Sequence, residues 1–243
     1  YHSAADISYV KPYAAIKASN VDGTHEMLRF TVHNKVKPFH FVSSISVYGP
    51  AKQFLGLEAV SEDTDTTPIL DYLYVENGYV KTKWISDKMV ETAIQRGVPA
   101  KIYRPGFIEA STHNGISNTT DFMCRFIKGC IQMKMYLDMP TKYWMLTNAD
   151  YIARAISHIS MEKCHRVDSR IFNLVPKRKS EPSSVEIFEH LTKIGYEFEK
   201  VPLKVWLEEV QRLLIDDKKD NAMHPIAGFI IERVFAGRNT ILE

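Results

Sequence analysis

Glycine is scarce in this sequence, at 11 of 243 residues against an average of about 7%. A chain with the helix and strand alternation described below normally carries more, so something glycine-rich is missing from it. Cysteine is scarcer still. Cys124, Cys130 and Cys164 are an odd number without CxxC spacing, which excludes a disulfide framework and a cysteine zinc site and predicts a reducing, cytoplasmic setting. No apolar run approaches the ~20 residues of a membrane span; Ile226–Ile231 is cut short by Glu232 and Arg233. Charge of one sign is lacking too. Lys plus Arg total 31 and Asp plus Glu 29, a net +2, too small to draw the chain to nucleic acid or an anionic membrane by charge alone. The opening Tyr1–Asp6 has no Met, basic region or apolar core. It reads as the inside of a structural element rather than a signal peptide.

What is present is an ordinary globular composition, 45% hydrophobic and 25% charged, which excludes intrinsic disorder. Apolar spacing predicts helices over 21–34, 78–96, 119–134, 148–162, 183–194, 203–215 and 225–236. Short apolar runs predict strands at 39–44, 100–104 and 170–175. Residues 49–76, rich in turn formers and acids, read as a long surface loop. Strands alternating with helices predict an α/β fold, a doubly wound parallel sheet, with a smaller, mostly helical annex after Pro176.

The sharpest chemical signal is Tyr79-Val80-Lys81-Thr82-Lys83. Tyr79 and Lys83, four apart, stand on one helix face. A free phenol holds its proton up to about pH 10, and a nearby ammonium favours phenolate and lowers that value. The pair can then hand a proton to a carbonyl receiving hydride. The same spacing also suits a solvated helix face. Thirty-five residues upstream, Ser44 ends the strand Phe41-Val42-Ser43-Ser44. A hydroxyl at a strand's carboxyl end points into the crevice where open α/β sheets bind ligands, where it can polarise a substrate oxygen. Ser43, Ser44 and Ser46 equally suit the capping of backbone groups.

Taken together, Ser43-Ser44-Ile45-Ser46-Val47-Tyr48-Gly49 followed by Tyr79-x-x-x-Lys83 resembles the extended short-chain dehydrogenase/reductase superfamily. His2-Ser3-Ala4-Ala5 is similar to the end of the strand that approaches the nicotinamide ribose in that superfamily. Asn20-Val21-Asp22-Gly23-Thr24 is similar to its Asn-Val-x-Gly-Thr, where Asn organises the active-site helix and a proton relay. Arg104-Pro105-Gly106-Phe107 resembles its Arg-Pro-Gly turn at the nicotinamide carboxamide. More narrowly, Asn118-Thr119-Thr120-Asp121-Phe122 and Lys128-Gly129-Cys130-Ile131-Gln132 resemble the terminal thioester reductase domains of nonribosomal peptide synthetases and α-aminoadipate reductases. The likeness weakens after residue 140, where Trp144–Asp150 replaces a proline-containing entry to the next helix.

The resemblance implies a Rossmann-like domain in 1–107 and 148–176, and a substrate subdomain in 108–147 and 177–243. It implies catalytic roles for Ser44, Tyr79, Lys83 and Asn20. Cofactor contacts would fall to Ala4, Ala5, Ser43, Tyr79, Lys83, Pro105, Gly106, Phe107 and Ile108, and substrate contacts to Ser46, Asn118, Phe122 and Phe126. Phe122 and Phe126 also fit an apolar core stripe. The implied reaction is NADPH-dependent release of an acyl or peptidyl thioester from the phosphopantetheine arm of a carrier protein, as an aldehyde that some relatives reduce again to an alcohol. The implied partners are that carrier and the other domains of a multidomain synthetase, with no nucleic acid, membrane span or metal. Another extended-family enzyme (an epimerase, dehydratase or acyl reductase) and a non-redox carrier-docking module stay open as alternatives. The glycine-rich phosphate loop of a dinucleotide fold is not in the sequence. The motif register therefore predicts an upstream segment of at least ~60 residues, two βαβ units, that would hold it.

Overall fold

The computed structural model describes residues 1–49, 54–57, 59–138, 143–161, 169–177 and 181–235. Cys164 lies outside them. The chain forms two compact units. The first comprises Tyr1–Asn114 and Thr147–Val175, the second Gly115–Leu146 and Pro176–Glu243.

The first unit is built on three parallel strands, β1 (Phe39–Val42), β2 (Ala100–Pro105) and a third at Ile171–Leu174, in the spatial order of the sequence. Phe41 pairs with Ile102, and Tyr103 with Phe172. His2 adds a single parallel bridge to Phe41 on the outer side of β1. Alternation along the strands buries both faces. Phe39, Phe41, Ala100 and Ile102 pack on Val90, with Met27, Leu28 and Ile94 beside them. Tyr103 and Leu174 pack on Ile152, with Ala155, Ile156 and Ile159. Helices on both sides of a parallel sheet are the expected doubly wound arrangement.

Three local features differ from the sequence reading. The helix expected from residue 21 begins at Tyr13 and runs through α1 (Tyr13–Lys17), a π-helical turn at Ala18–Asp22 and α2 (Gly23–Val32). A π turn widens the helix by one residue, frequently at functional sites, and here it holds Asn20. The expected loop 49–76 contains a 3₁₀ segment, Thr67–Val75, that buries Ile69, Leu73 and Val75. The Trp84 indole anchors it by donating to the Thr66 carbonyl at 3.0 Å. The third difference is a short parallel ladder, Met135–Leu137 with Glu199–Val201, in the second unit. Runs of three residues carry too little alternation to be read from sequence.

The second unit is otherwise helical. Its helices are Phe122–Met133, Ser184–Lys193, Leu203–Ile215 and His224–Phe235. Its core holds Phe126, Phe188, Trp206, Val210, Met223 and Ile230, all under 3% exposed. Ser183 and Glu186 form a reciprocal capping box at one helix start.

Candidate active site

Helix α3 (Gly78–Gln95) carries the central residues. Its first turn is fixed by the Asn77 side chain, which accepts from the Val80 amide at 2.9 Å. Gly78 is required by close approach. A Cβ there would stand 2.4 Å from the Lys11 carbonyl oxygen and 2.6 Å from the Tyr13 nitrogen. The segment before α1 thus lies directly on the helix start. Tyr9 from this segment stands 5.3 Å, centroid to centroid, from the Tyr79 ring and 6.5 Å from Phe107.

Tyr79 and Ser44 meet. Burial raises the Tyr79 pKa above its ordinary value, and a hydrogen bond from the Ser44 side chain pulls it part of the way back. The Ser44 hydroxyl also accepts from the Ser46 amide at 3.2 Å, which caps the 3₁₀ turn Ile45–Tyr48. So Ser44 is both cap and neighbour of the phenol. The Ser46 hydroxyl oxygen is buried with no hydrogen-bond partner among the described residues.

Lys83 is 4% exposed. Its ammonium donates to the Val42 carbonyl at 2.7 Å and lies 4.8 Å from the centre of the Phe41 ring. Burial lowers its pKa to about 8, against the pull of Asp87 towards the charged form. This corrects the expectation that Lys83 lowers the Tyr79 pKa. The flexible lysine stem reaches across to the strand, and burial governs the phenol.

Asn20 organises the helix side of the site. Its side chain accepts from the Asp6 amide at 2.7 Å and donates to the Asp6 carbonyl at 3.0 Å and the Thr82 hydroxyl at 2.9 Å. Its carbonyl accepts from the Thr24 and Ser86 hydroxyls at 2.6 and 2.9 Å. That carbonyl is engaged by two hydroxyls, and the side chain ties Asp6 to the helix at Thr82.

The Ser43 side chain is also committed. Its hydroxyl donates to Asp87 Oδ2 at 2.5 Å, and its amide donates to the Tyr103 carbonyl at 2.7 Å. Both of these donors therefore face protein, not cofactor. Ala4 and Ala5 follow the His2 bridge, exposed and half-buried respectively. Pro105 ends β2, and the Gly106 amide donates to the Leu174 carbonyl at 3.3 Å. Phe107 is half-buried and Ile108 exposed. All of these lie in the first unit.

The substrate candidates Asn118, Phe122 and Phe126 lie in the second unit. Asn118 Oδ1 accepts from the Thr120 amide and hydroxyl at 3.1 and 2.7 Å, forming a turn before the helix at Phe122. Phe122 and Phe126 are 5% and 2% exposed. Their rings pack edge-on against Phe229 and tilted against Trp206, respectively. They are core residues of that unit.

Sequence reasoning missed an ionic cluster beneath the site. Arg104, fully buried, donates from Nε to Asp87 Oδ2 at 3.1 Å and from Nη2 to Asp87 Oδ1 at 2.5 Å. It also donates to Glu91 at 2.7 Å and to the Tyr48 hydroxyl at 2.5 Å. Burial opposes its charge, but the Asp87 hydrogen bonds outweigh this and raise its pKa. The four-residue spacing Tyr79, Lys83, Asp87, Glu91 places both acids on the face of the helix that carries the site, but nothing in the sequence pairs them with Arg104.

Part of a nicotinamide nucleotide fits these residues. Lys83 has three N–H donors and one hydrogen-bond acceptor among the described residues, the Val42 carbonyl. Its other donors suit ribose hydroxyls.

The NAD-binding family described as male sterility protein matches residues 1–156. The chain is 32% identical over 238 residues to the non-canonical nonribosomal peptide synthetase cpsA of Aspergillus campestris, covering 97% of this chain and 22% of that protein. It is 33% identical over 223 residues to a linear gramicidin synthase of Brevibacillus parabrevis, covering 92% of this chain and 4% of that protein. Thus the chain spans about a fifth or less of these relatives. In the solved structures, the terminal R domain of the myxalamid PKS-NRPS pathway superposes with a TM-score of 0.79 at 29% identity, over 92% of this chain and 55% of that one.

Proposed function

The chain belongs to the NAD-binding family described as male sterility protein, and from that premise we propose that it releases a carrier-bound acyl or peptidyl thioester by NADPH-dependent reduction to an aldehyde. The observation that carries the reading is the buried meeting of Ser44 and Tyr79 with Lys83 one helical turn on. The likeness to synthetases and to a terminal R domain supports the thioester as substrate and a carrier protein as partner. We assign the reaction to the cytoplasm. Among the described residues no helix is long and apolar enough to cross a membrane.

The reduction adds a hydride and a proton to the thioester carbonyl and breaks the carbon–sulfur bond, leaving an aldehyde and the carrier's free thiol. When bound, the nicotinamide supplies the hydride. Lys83 would hold its ribose through the ammonium donors without a partner among the described residues, and the Pro105–Phe107 turn would face its carboxamide end. Ser44 and Tyr79 donate to the carbonyl oxygen as negative charge develops there. Tyr79 then gives up its phenolic proton to that oxygen. The phenol is protonated at neutral pH, and although burial makes it a weaker acid, the alkoxide it serves is a stronger base, so the proton transfer still runs towards that oxygen. Collapse of the hemithioacetal expels the thiol. A thioester is electrophilic enough to react without a metal ion.

The reading is tested with the full-length protein and thioesters on carrier and on coenzyme A. Thioester-dependent oxidation of NADPH, with the product trapped as an oxime of the aldehyde, is expected. No oxidation across a range of acyl chains overturns it.

A further inference from the structure

Tyr79, Lys83, Asp87 and Glu91 repeat at the four-residue spacing that keeps side chains on one helix face. The first two face the proposed chemistry, and the last two face Arg104. Asp87 touches both sides of this division. One of its oxygens accepts from the Ser43 hydroxyl at 2.5 Å and from Arg104 Nε at 3.1 Å, and the other accepts from Arg104 Nη2 at 2.5 Å. Ser43 is bonded in sequence to Ser44, Arg104 to Pro105, and Asp87 lies one helical turn past Lys83. The Arg104 guanidinium also donates to the Tyr48 hydroxyl and stacks 5.0 Å from its ring. Tyr48 closes the 3₁₀ turn that Ser44 caps. Three separate pieces of chain therefore end on one buried ion pair.

We propose that Asp87, clamped by Arg104, is a positioning residue that holds Ser44, the Tyr79–Lys83 helix and the Pro105–Phe107 turn in register and sets the charge felt by Lys83. Its part in turnover rests on the reductive reading above. A buried pair of this kind is poor evidence for stability on its own, since matched apolar groups often serve as well. Three attachments to three parts of one site give it a different use. The fork of two parallel N–H bonds fixes direction as well as distance.

Among the described residues, the charged and titratable groups around Lys83 are few. Tyr79 and Asp87 lie on its own helix, and His2 approaches from the strand segment beside β1, where burial first and Lys83 second lower the His2 pKa. From β1 itself come only the Val42 carbonyl and the Phe41 ring. Of these, only Asp87 favours the ammonium.

The test compares Asp87→Asn, Arg104→Gln and the double variant in the full-length protein. Thermal midpoint, kcat, KM and the alkaline limb of the pH–rate profile are measured. Both single variants are expected to lose thermal midpoint, and the double variant to regain most of it, because neither partner is left as a lone buried charge. In the double variant, kcat is expected to stay about 10²-fold low with KM within about threefold. The alkaline limb is expected to move to lower pH in Asp87→Asn and to higher pH in Arg104→Gln, where the carboxylate loses its counter-charge. A merely structural pair would not move the limb in opposite directions. A double variant with wild-type kcat, or single variants whose limbs do not move in opposite directions, overturns the proposal. If the wild-type protein itself turns over no thioester, the reductive reading falls, and the clamp is judged by NMR titration of the Lys83 ammonium. Opposite shifts in the two single variants uphold it, and unmoved titrations overturn it.

Discussion

The ammonium of Lys83 is hydrogen-bonded to the carbonyl of Val42, 2.7 Å away on the neighbouring strand, and not held against the phenol one turn before it. This contact ties the helix to the end of β1, just before Ser43 and Ser44. It also buries the charge, which is why the Lys83 pKa falls to about 8 from an ordinary 10.5.

A pH dependence follows. Lys83 is charged below about pH 8 and neutral above it, so kcat/KM in the free enzyme is expected to fall on the alkaline side with an apparent pKa near that value. The linkage to stability has the opposite sense. Between about 8 and 10.5 the unfolded chain binds the extra proton, so the penalty for burying the charge is full below this window and is relieved as pH rises through it. A pH–rate profile alongside urea unfolding at pH 7 and 9.5 reads both signs.

Tyr79→Phe removes the proposed acid and leaves the ring in place. The expected loss is about 10²–10⁴-fold in kcat with cofactor affinity nearly unchanged. Cofactor fluorescence titration and steady-state rates separate the two. Unchanged turnover would move the proton donor elsewhere.

Gly78→Ala places a Cβ against the backbone of Lys11, Pro12 and Tyr13, at 2.4 to 2.7 Å. Backbone cannot swing away as a side chain can, so a loss of about 1 to 3 kcal/mol is expected. The helix start that carries Tyr79 should shift with it. Chemical denaturation measures the first effect, and kcat the second.

Asn20→Ala leaves the Asp6 amide and carbonyl and the Thr82 hydroxyl without their present partner. A destabilisation of about 2 to 3 kcal/mol is expected, read by urea unfolding. Phe126→Ala should act through folding as well. Its ring is 2% exposed and packed against Trp206, so about 3 to 5 kcal/mol is expected, with KM for the thioester unchanged in whatever fraction stays folded. A selective rise in KM would return Phe126 to the substrate site.

Sequence alone discloses the parts of this molecule that local periodicity encodes. Phe39–Val42 and Ala100–Arg104 read as strands because their apolar runs are short and bounded by Pro38 and Pro105. The helix at Gly78 shows through its apolar stripe, and Tyr79 and Lys83 show through four-residue spacing. Other features have no local signature. The Asp87–Arg104 pair joins residues seventeen apart, and no pattern in the chain marks which buried charges meet. Ser43 reads as a cofactor contact until Asp87 is seen to take its hydroxyl. Phe122 and Phe126 illustrate the converse limit. An apolar stripe on a helix is the same string of letters whether it faces a substrate or a core, and here the two rings pack against Phe229 and Trp206. The π turn at Asn20 adds one residue to a helix without any composition that announces it.

The most direct measurement is isotopic. The full-length protein is given a carrier-bound acyl thioester and NADPH deuterated at the transferable position of its nicotinamide ring, and the released product is examined by mass spectrometry and NMR. The account predicts an aldehyde carrying one deuterium on its carbonyl carbon, or an alcohol carrying two where reduction continues, with one free carrier thiol per acyl group. Release of a free acid without deuterium, or of an aldehyde whose carbonyl hydrogen comes from water, would contradict it.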